Sequence, residues 1–281
     1  MSSPHHALAS SSDAPDAADP VKLADMWSVS GQLLHTEAYR RTHARLLAEA
    51  IGHREQKILD AACGMGFPMR ELHDLGFTNL CGSDADPDLI AKFRALLAAA
   101  PATAQWRPRL MVATWQELPQ RLPETFDVVL NVDAAIGFMD SWLPGEMRVG
   151  STRIFARVVA VLRNFHAVTA PGGRFFIGLQ KNNHKGNSFY PMHVGRMSID
   201  GVPAEAQWDM TYDWTRRIKT WVNTVRIDDR AFSQTRQSYL FDLAELGDFL
   251  LAAGFAHVER LPTPDDLYED ILIAHRGDEA A

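Results

Sequence analysis

The chain has 281 residues, of which 46% are apolar and 22% are charged, and its formal net charge is −7. This composition is typical of a globular protein and excludes a disordered or fibrous chain. The acidic balance disfavours nucleic acid as a partner, because a polyanion binds best to a basic face. Only two cysteines occur, Cys63 and Cys81, so a disulfide framework is not indicated.

Residues 1–20 are rich in Ser, Ala, Asp and Pro and lack the apolar core of a secretory signal. This segment is predicted to be a disordered tail. No apolar run approaches the roughly 20 residues that a membrane-spanning helix needs. We therefore expect a cytoplasmic protein without a membrane partner.

Strands and helices alternate along most of the remaining chain. In chain order, the pattern predicts a helix that runs from Val21 to a C-cap at Gly52, the strand "KILDAA", the helix "PMRELHDLG", the strand "TNLCGSD", the helix "PDLIAKFRALLAAA", the strands "RLMVATW" and "FDVVLNVD", the helix "RIFARVVAVLRNFHAV" and the strand "RFFIGLQ". This rhythm is typical of an α/β fold with a doubly wound, mostly parallel sheet.

The rhythm changes after Asn182. Two antiparallel strands are predicted, "RRIKTWVNTVRI" and "FSQTRQSYLF", followed by the helix "DLAELGDFLLAAGF" and the closing strands "HVERL" and "DILIAHR". We therefore predict one Rossmann-like domain over residues 21–281, with an N-terminal helical cap and an antiparallel insertion near residues 182–241.

The turn after the first strand is predicted to bind a ligand. In a doubly wound sheet, ligands lie at the carboxyl ends of the strands. The first strand ends at Asp60, and Gly64 and Gly66 allow the backbone to turn sharply and to approach a ligand closely. Asp84 ends the second strand, where a carboxylate can accept hydrogen bonds from a ribose diol.

Two details favour S-adenosylmethionine over a dinucleotide. The dinucleotide fingerprint G-x-G-x-x-G has a small third residue, whereas "GMGFPM" has Met69 there, preceded by Pro68. Asp60 at the mouth of the loop would repel phosphates and would suit an ammonium group. S-adenosylmethionine carries that ammonium group, a sulfonium and a ribose.

Other chemistries lack their residues. "DADPD" alternates like a calcium loop, but Leu89 and Ala95 replace the Gly and Glu that such a loop requires. The histidines show no zinc-protease spacing, so no metal is predicted, and no G-x-S-x-G elbow offers a hydrolase nucleophile.

The segment "ILDAACGMG" resembles the first motif of class I S-adenosylmethionine-dependent methyltransferases. "LCGSDADPDLIAKF" resembles their second motif, and "LMVATWQELPQRLPETFDVVLNV" resembles their third and fourth regions. Within that superfamily, the chain is most similar to the glycine/sarcosine N-methyltransferase group. That similarity lies in the "ACGxG" loop, in Trp115 and in the late run Arg236-Gln237-Ser238-Tyr239.

The resemblance implies a role for each matching residue. Asp60, Ala62, Gly64 and Gly66 would hold the methionine end of the donor, and Asp84 would bind the ribose. Ala85, Thr114 and Trp115 would flank the adenine, Asn131 would line the sulfonium side, and Tyr39 would close over donor and acceptor. For Trp115, plain core packing is the alternative, because aromatic residues are often buried for their area alone.

The acceptor is predicted to be a small, polar, amino-acid-like molecule that is methylated on nitrogen. A neutral amine or thioether needs no strong base, whereas a hydroxyl usually does, and no His–Asp pair at a plausible spacing is evident. Five residues are expected to hold the acceptor: Tyr39, Lys181, Asn182, Arg236 and Tyr239. The loop "KNNHKGN" around Lys181 and Asn182 has an exposed polar turn as its alternative.

Other functions stay open. A thioether sulfur or an oxygen is an alternative methyl acceptor, as is a protein or a lipid-like molecule. A donor-binding protein without catalysis is a further alternative. The sequence also leaves open whether the chain forms a homo-oligomer.

Overall fold

The fold was analysed in a computed structural model, which describes residues 23–99, 106–140, 154–181, 186–199 and 201–278. The predicted tail over residues 1–20 lies outside these ranges. The seven described α-helices are α1 (Leu23–Leu34), α2 (Glu37–Ile51), α3 (Met69–Asp74), α4 (Pro87–Ala99), α5 (Leu118–Arg121), α6 (Ile154–Val168) and α7 (Leu243–Ala253), and a 3₁₀ helix spans Ala135–Phe138. None of the described helices is long and apolar enough to cross a membrane.

Eleven strands are described, in two sheets. They are β1 (Ile58–Asp60), β2 (Leu80–Asp84), β3 (Arg109–Val112), β4 (Phe126–Asn131), β5 (Thr169–Gln180), β6 (Ser188–Ile199), β7 (Val202–Asp213), β8 (Ile218–Ile227), β9 (Arg230–Tyr239), β10 (His257–Leu261) and β11 (Glu269–His275). The first sheet has the order β10-β11-β5-β4-β1-β2-β3, and only β11 runs antiparallel within it. The predicted fold class is therefore confirmed.

Both faces of the first sheet are covered, because alternate residues of its strands point to opposite sides. Leu59, Val129 and Phe175 pack with residues of α6 and α7 on one face. Their neighbours Ile58, Val128 and Phe176 pack with residues of α2, α3 and α4 on the other. Because β1, β2 and β4 run parallel, their carboxyl ends lie at one edge of the sheet, where the predicted ligand loop lies.

The insertion is an antiparallel sheet of four strands in the order β6-β7-β8-β9. The two predicted antiparallel strands are confirmed as β8 and β9, whereas β6 and β7 were not predicted, because they carry weak strand signals. Pro191 lies within β6 and is tolerated there because β6 is an edge strand. In β7 the buried alternation begins with two small residues, Ala204 and Ala206, before it reaches Trp208.

The N-terminal cap consists of two helices, not the single predicted one. Thr36 breaks the pattern, since its side chain accepts a hydrogen bond from the backbone N–H of Tyr39 at 3.3 Å and so caps α2. Gly52 ends α2 with φ +84°, as predicted. The break lets α1 pack on the insertion, where Met26, Val29 and Leu33 contact its strands, while α2 stays on the first sheet.

Candidate active site

A cavity of about 590 Å³ lies at the carboxyl ends of the parallel strands. Its floor is formed by Ala61, Ala62 and Gly64 after β1, by Asp84 at the end of β2 and by the segment that follows β4. Its roof consists of residues from α1, β7 and β8. The size is in the range of pockets that hold small-molecule ligands.

The two glycines of the β1–α3 loop have different surroundings. Gly64 has φ +47°, lines the cavity, and has no atom within 4 Å of the position that a Cβ would occupy. Gly66 has φ +99°, and a Cβ there would lie 2.3 Å from the ring of Phe93. Gly64 therefore leaves space for a ligand, whereas Gly66 serves the packing of the loop on α4.

Asp84 fixes the shape of this loop. One carboxylate oxygen accepts a hydrogen bond from the backbone N–H of Gly64 at 3.0 Å, and the other accepts one from Asp86 N–H at 2.9 Å. Burial raises the pKa of Asp84 to about 6. Since a carboxylate has about four lone-pair positions, Asp84 keeps acceptor capacity for ligand hydroxyls on the cavity side. These residues therefore fit a ribose-bearing donor.

Asp60 is covered by protein and does not line the cavity. It is 1% exposed, one oxygen accepts a hydrogen bond from Ala62 N–H at 3.2 Å, and the other has no partner among the described residues. Burial, with smaller contributions from the nearby Asp84 and Asp133, raises the pKa of Asp60 to about 8. The unpartnered oxygen is the kind of group that a donor ammonium would satisfy.

We expect Asp60→Asn to remove a pH dependence of stability. Because the folded-state pKa is about 8, the unfolded chain releases this proton at lower pH than the folded chain does. Stability is therefore lost as pH rises from about 4 to about 8, by about 1.4 kcal/mol per pH unit at most. Thermal melts across this range should diverge, with the variant gaining stability relative to the wild type toward pH 8. Parallel curves would contradict this assignment.

The predicted adenine-flanking residues Ala85, Thr114 and Trp115 all line the cavity. Trp115 donates its indole N–H to the carbonyl of Ala61 at 2.5 Å and its ring packs against Phe165. Glu117 accepts hydrogen bonds from the backbone N–H and the hydroxyl of Thr114. The alternative of core packing thus holds for one part of Trp115, while another part contacts the cavity.

Asn131 ends β4 and is completely buried, so it does not line the cavity. Neither atom of its amide has a hydrogen-bond partner among the described residues. The cavity wall is formed instead by the residues that follow, Val132 to Ala135, of which Asp133 and Ala134 have left-handed backbones with φ +65° and +52°.

Asp133 forms a pair with His35 that the sequence did not reveal. His35 Nε2 lies 3.0 Å from Asp133 Oδ1, although 98 positions separate the two residues. His35 is buried, and Asp133 lines the cavity. The sequence spacing made no His–Asp pair evident, and the structure contains one. The pair was hidden because its members come from the end of α1 and from the loop after β4.

A second buried pair supports the same loop. His43 Nε2 lies 2.6 Å from Glu269 Oε1, and both side chains are fully covered. The other oxygen of Glu269 accepts a hydrogen bond from Ala134 N–H at 3.1 Å. Glu269 thus connects α2, β11 and the loop that carries Asp133. Sequence reasoning missed it, since a lone Glu at the start of a strand gives no local signal.

Tyr39 lies in an aromatic cluster beside this loop and does not line the cavity. Its ring is stacked with the rings of His35, His43 and Tyr268 at centroid distances of 5.4–5.9 Å. Its hydroxyl is buried without a partner among the described residues, and burial raises its pKa above the usual range. Tyr268 is the member of this cluster that contacts the cavity.

Three other predicted acceptor residues, Lys181, Arg236 and Tyr239, also lie away from the cavity. Lys181 Nζ donates to the carbonyl of Pro264, and Asn182 lies outside the described residues. Arg236 is on the edge strand β9, one strand further out than Trp221, and its Nη1 donates to the carbonyl of Thr235. Tyr239 is 2% exposed and donates its hydroxyl to Asp140 at 2.5 Å. Tyr239 thus supports a cavity residue and does not face a ligand.

The roof is rich in aromatic residues. Trp27 of α1, Trp208 of β7 and Trp221 of β8 line the cavity and contact one another, with centroid distances of 5.1–6.0 Å. Phe138 packs against Trp221 from the 3₁₀ helix. The sequence contains these tryptophans, but nothing local indicates that α1 and the insertion bring them over the strand ends.

Among the described residues, two cations line the cavity, Arg157 and Lys219. Arg157 is paired with Asp140. Lys219 of β8 is 7% exposed and donates from Nζ to the side-chain carbonyl of Gln180 at 2.8 Å. Burial lowers the pKa of Lys219 to about 8. No group of residues that could hold a metal ion is found in the described parts of the chain.

Residues 58–145 match the family model described as a methyltransferase domain. Comparison with curated protein sequences gave no match. Among solved structures, the sugar N-methyltransferase KedS8 of a Streptoalloteichus species is similar with a TM-score of 0.67 and 17% identity, over 98% of this chain and 100% of that one. CalS10, an amino pentose methyltransferase from Micromonospora echinaspora solved with bound S-adenosylmethionine, is similar with a TM-score of 0.66 and 19% identity. This similarity covers 89% of this chain and 96% of CalS10. DesVI of Streptomyces venezuelae is similar with a TM-score of 0.68 and 18% identity, over 92% of this chain and 99% of DesVI.

These likenesses establish the fold, and the matched domain covers the strands and loops that form the cavity floor. Residues 58–145 therefore form a methyltransferase domain, and the predicted enzyme class and its donor, S-adenosylmethionine, are confirmed.

Proposed function

We propose that the enzyme transfers the methyl group of S-adenosylmethionine to the nitrogen of a small polar molecule in the cavity described above. The observation that carries the proposal is the continuity of the cavity. It extends from Asp84 and Gly64, past Asp133, to the aromatic roof, so that one space can hold donor and acceptor together. Such placement supplies most of what methyl transfer requires of an enzyme.

In this proposal the donor lies over β1 and β2. Asp84 accepts hydrogen bonds from the ribose, Gly64 and Ala62 approach the methionine end, and Ala85, Thr114 and Trp115 flank the adenine. Asp60 and Asn131 act from beneath the cavity floor, since neither lines it. When bound, S-adenosylmethionine supplies an electrophilic methyl group on its sulfonium sulfur.

The acceptor lies over β4 and β5, beneath the roof. We replace the predicted acceptor residues Tyr39, Lys181, Arg236 and Tyr239, because they do not line the cavity. The roof tryptophans instead contact the body of the acceptor, and Tyr39 supports the loop after β4 from behind. The similarity to the glycine/sarcosine group stays a prediction, and an acceptor larger than glycine agrees better with this aromatic roof.

Asp133, with His35 behind it, takes the proton of the acceptor. Aliphatic amines are protonated near neutral pH, so the nitrogen must lose a proton before its lone pair can attack. A carboxylate at this place also attracts the ammonium form. The similarity to KedS8, a sugar N-methyltransferase, and to CalS10, an amino pentose methyltransferase, supports nitrogen as the methylated atom.

Oxygen methylation is the second candidate, and the His35–Asp133 pair is the observation that favours it. A hydroxyl needs a base more than an amine does, and this pair provides one. Nitrogen was preferred from the sequence because no such pair was evident. Since the pair is present, the need for a base no longer separates nitrogen from oxygen as the methyl acceptor.

Matched acceptors can decide between these candidates. The enzyme is incubated with S-adenosylmethionine and one candidate acceptor at a time. Two pairs each compare an amine with a hydroxyl compound: glucosamine with glucose, and tryptamine with indole-3-ethanol. Methionine is the thioether acceptor. We expect S-adenosylhomocysteine release and an N-methylated product, identified by mass spectrometry, only with the amines. Faster methylation of the hydroxyl members would establish the second candidate. Release with methionine alone would contradict both.

A further inference from the structure

Lys219 is a buried cation for which the described residues provide no anion. Its Nζ donates to Gln180, a neutral amide, and lies 5.5 Å from the centroid of the Phe138 ring. Gln180 is itself held from its amide nitrogen by a weak contact with the sulfur of Met210. Burial of an ammonium group without a counter-charge is costly, so such a group is usually paired or has a functional role.

The other charged residues of the cavity already have partners. Arg157 is paired with Asp140, which also accepts a hydrogen bond from Tyr239. Asp133 is paired with His35, and Asp84 accepts two backbone hydrogen bonds. Lys219 is therefore the cavity cation that has no carboxylate partner within the described ranges, and it lies on β8, two residues from the roof residue Trp221.

We propose that Lys219 binds a carboxylate of the acceptor, so that the substrate is a small amino acid whose ring-bearing body lies against the roof tryptophans. The inference rests on the proposed function, because it takes the roofed half of the cavity as the acceptor site. The amine of the acceptor faces Asp133, and its carboxylate accepts a hydrogen bond from Lys219. Two opposite charges on one substrate thus meet opposite charges of the protein, which fixes its orientation.

A carboxylate fits this place better than a phosphate does. One lysine and one amide are available, whereas a phosphate has more acceptor oxygens and a larger charge to satisfy. Gln180 can also donate to the carboxylate through its amide nitrogen once the contact with Met210 is given up, since this contact is long at 3.9 Å.

Binding to the complex of enzyme and S-adenosylhomocysteine tests the proposal without catalysis. Calorimetry compares indole-3-propionate with indole-3-propanamide, which have the same shape and differ in charge. The wild type should prefer the acid by about ten- to a hundredfold, the range for a hydrogen bond to a charged group. Lys219→Met should remove this preference and leave the binding of the amide unchanged.

Lys181→Met is the matched control, because Lys181 lies outside the cavity and should not affect the preference. Affinity for S-adenosylhomocysteine shows that each variant is folded, and Lys219→Gln provides a second neutral variant. Wild-type enzyme that does not distinguish acid from amide, or that binds neither, would overturn the proposal, as would a Lys219→Met variant that keeps the preference. Failure to methylate any amine would contradict the proposed function. The binding comparison of acid and amide could still be interpreted, because it does not depend on catalysis.

Discussion

Gly64→Val is expected to abolish binding of S-adenosylmethionine while the enzyme remains folded. Gly64 lines the cavity, and its missing side chain leaves open space on the side where the donor approaches. A valine would fill that space. We expect the affinity to fall by at least about a hundredfold, which corresponds to about 3 kcal/mol, as measured by titration calorimetry.

Two other glycines separate this effect from strain. Gly201→Val has the same kind of backbone cost, since Gly201 has φ +84° and open surroundings, but it lies at the turn between β6 and β7. It should lose stability and keep donor affinity. Gly66→Ala should mainly destabilise the fold, because its Cβ would overlap the Phe93 ring. Unchanged donor affinity in Gly64→Val would refute the donor site as described.

Asp133→Asn is expected to lower kcat by about a hundredfold or more, the usual range for the loss of a general base. Asparagine tolerates the left-handed backbone of this position, so the loop should keep its shape. Donor affinity should stay within about twofold, because the donor lies over β1 and β2. Steady-state kinetics on a methylated amine, with calorimetry beside them, measure both quantities.

His35→Gln serves as the companion variant. It should lower kcat less than Asp133→Asn does, since His35 acts on the substrate only through Asp133. If both variants kept the activity of the wild type, the proton would have to leave by another path, and Asp133 would be only a structural residue of the loop.

The doubly wound sheet could be predicted because β1, β2, β4 and the second half of β5 are short apolar runs that follow Gly or Pro breaks. The donor half of the cavity followed from the same segments, since Gly64 and Asp84 lie within 20 positions of each other. Its signals are local in sequence. The different roles of Gly64 and Gly66 could not be predicted, because they depend on a non-local contact, the position in which α4 places the ring of Phe93.

The acceptor half could not be predicted from local patterns. His35 and Asp133 meet across 98 positions, and Ser30 of α1 reaches Asn223 of β8 across 193. Whether Arg236 or Lys219 faces the cavity depends on the register of β8 and β9 and on which strand is at the edge. Lys219 and Arg236 both lie in strands of alternating polar and apolar residues, and the sequence pattern does not show which of the two cations faces the cavity.

Calorimetric titration of the purified wild-type enzyme with S-adenosylmethionine, and in parallel with NAD, measures the ligand preference of the β1–α3 loop and Asp84. The site described here predicts saturable binding of S-adenosylmethionine to one site per chain, and no heat of binding with NAD under the same conditions. Binding of NAD in preference to S-adenosylmethionine would contradict it.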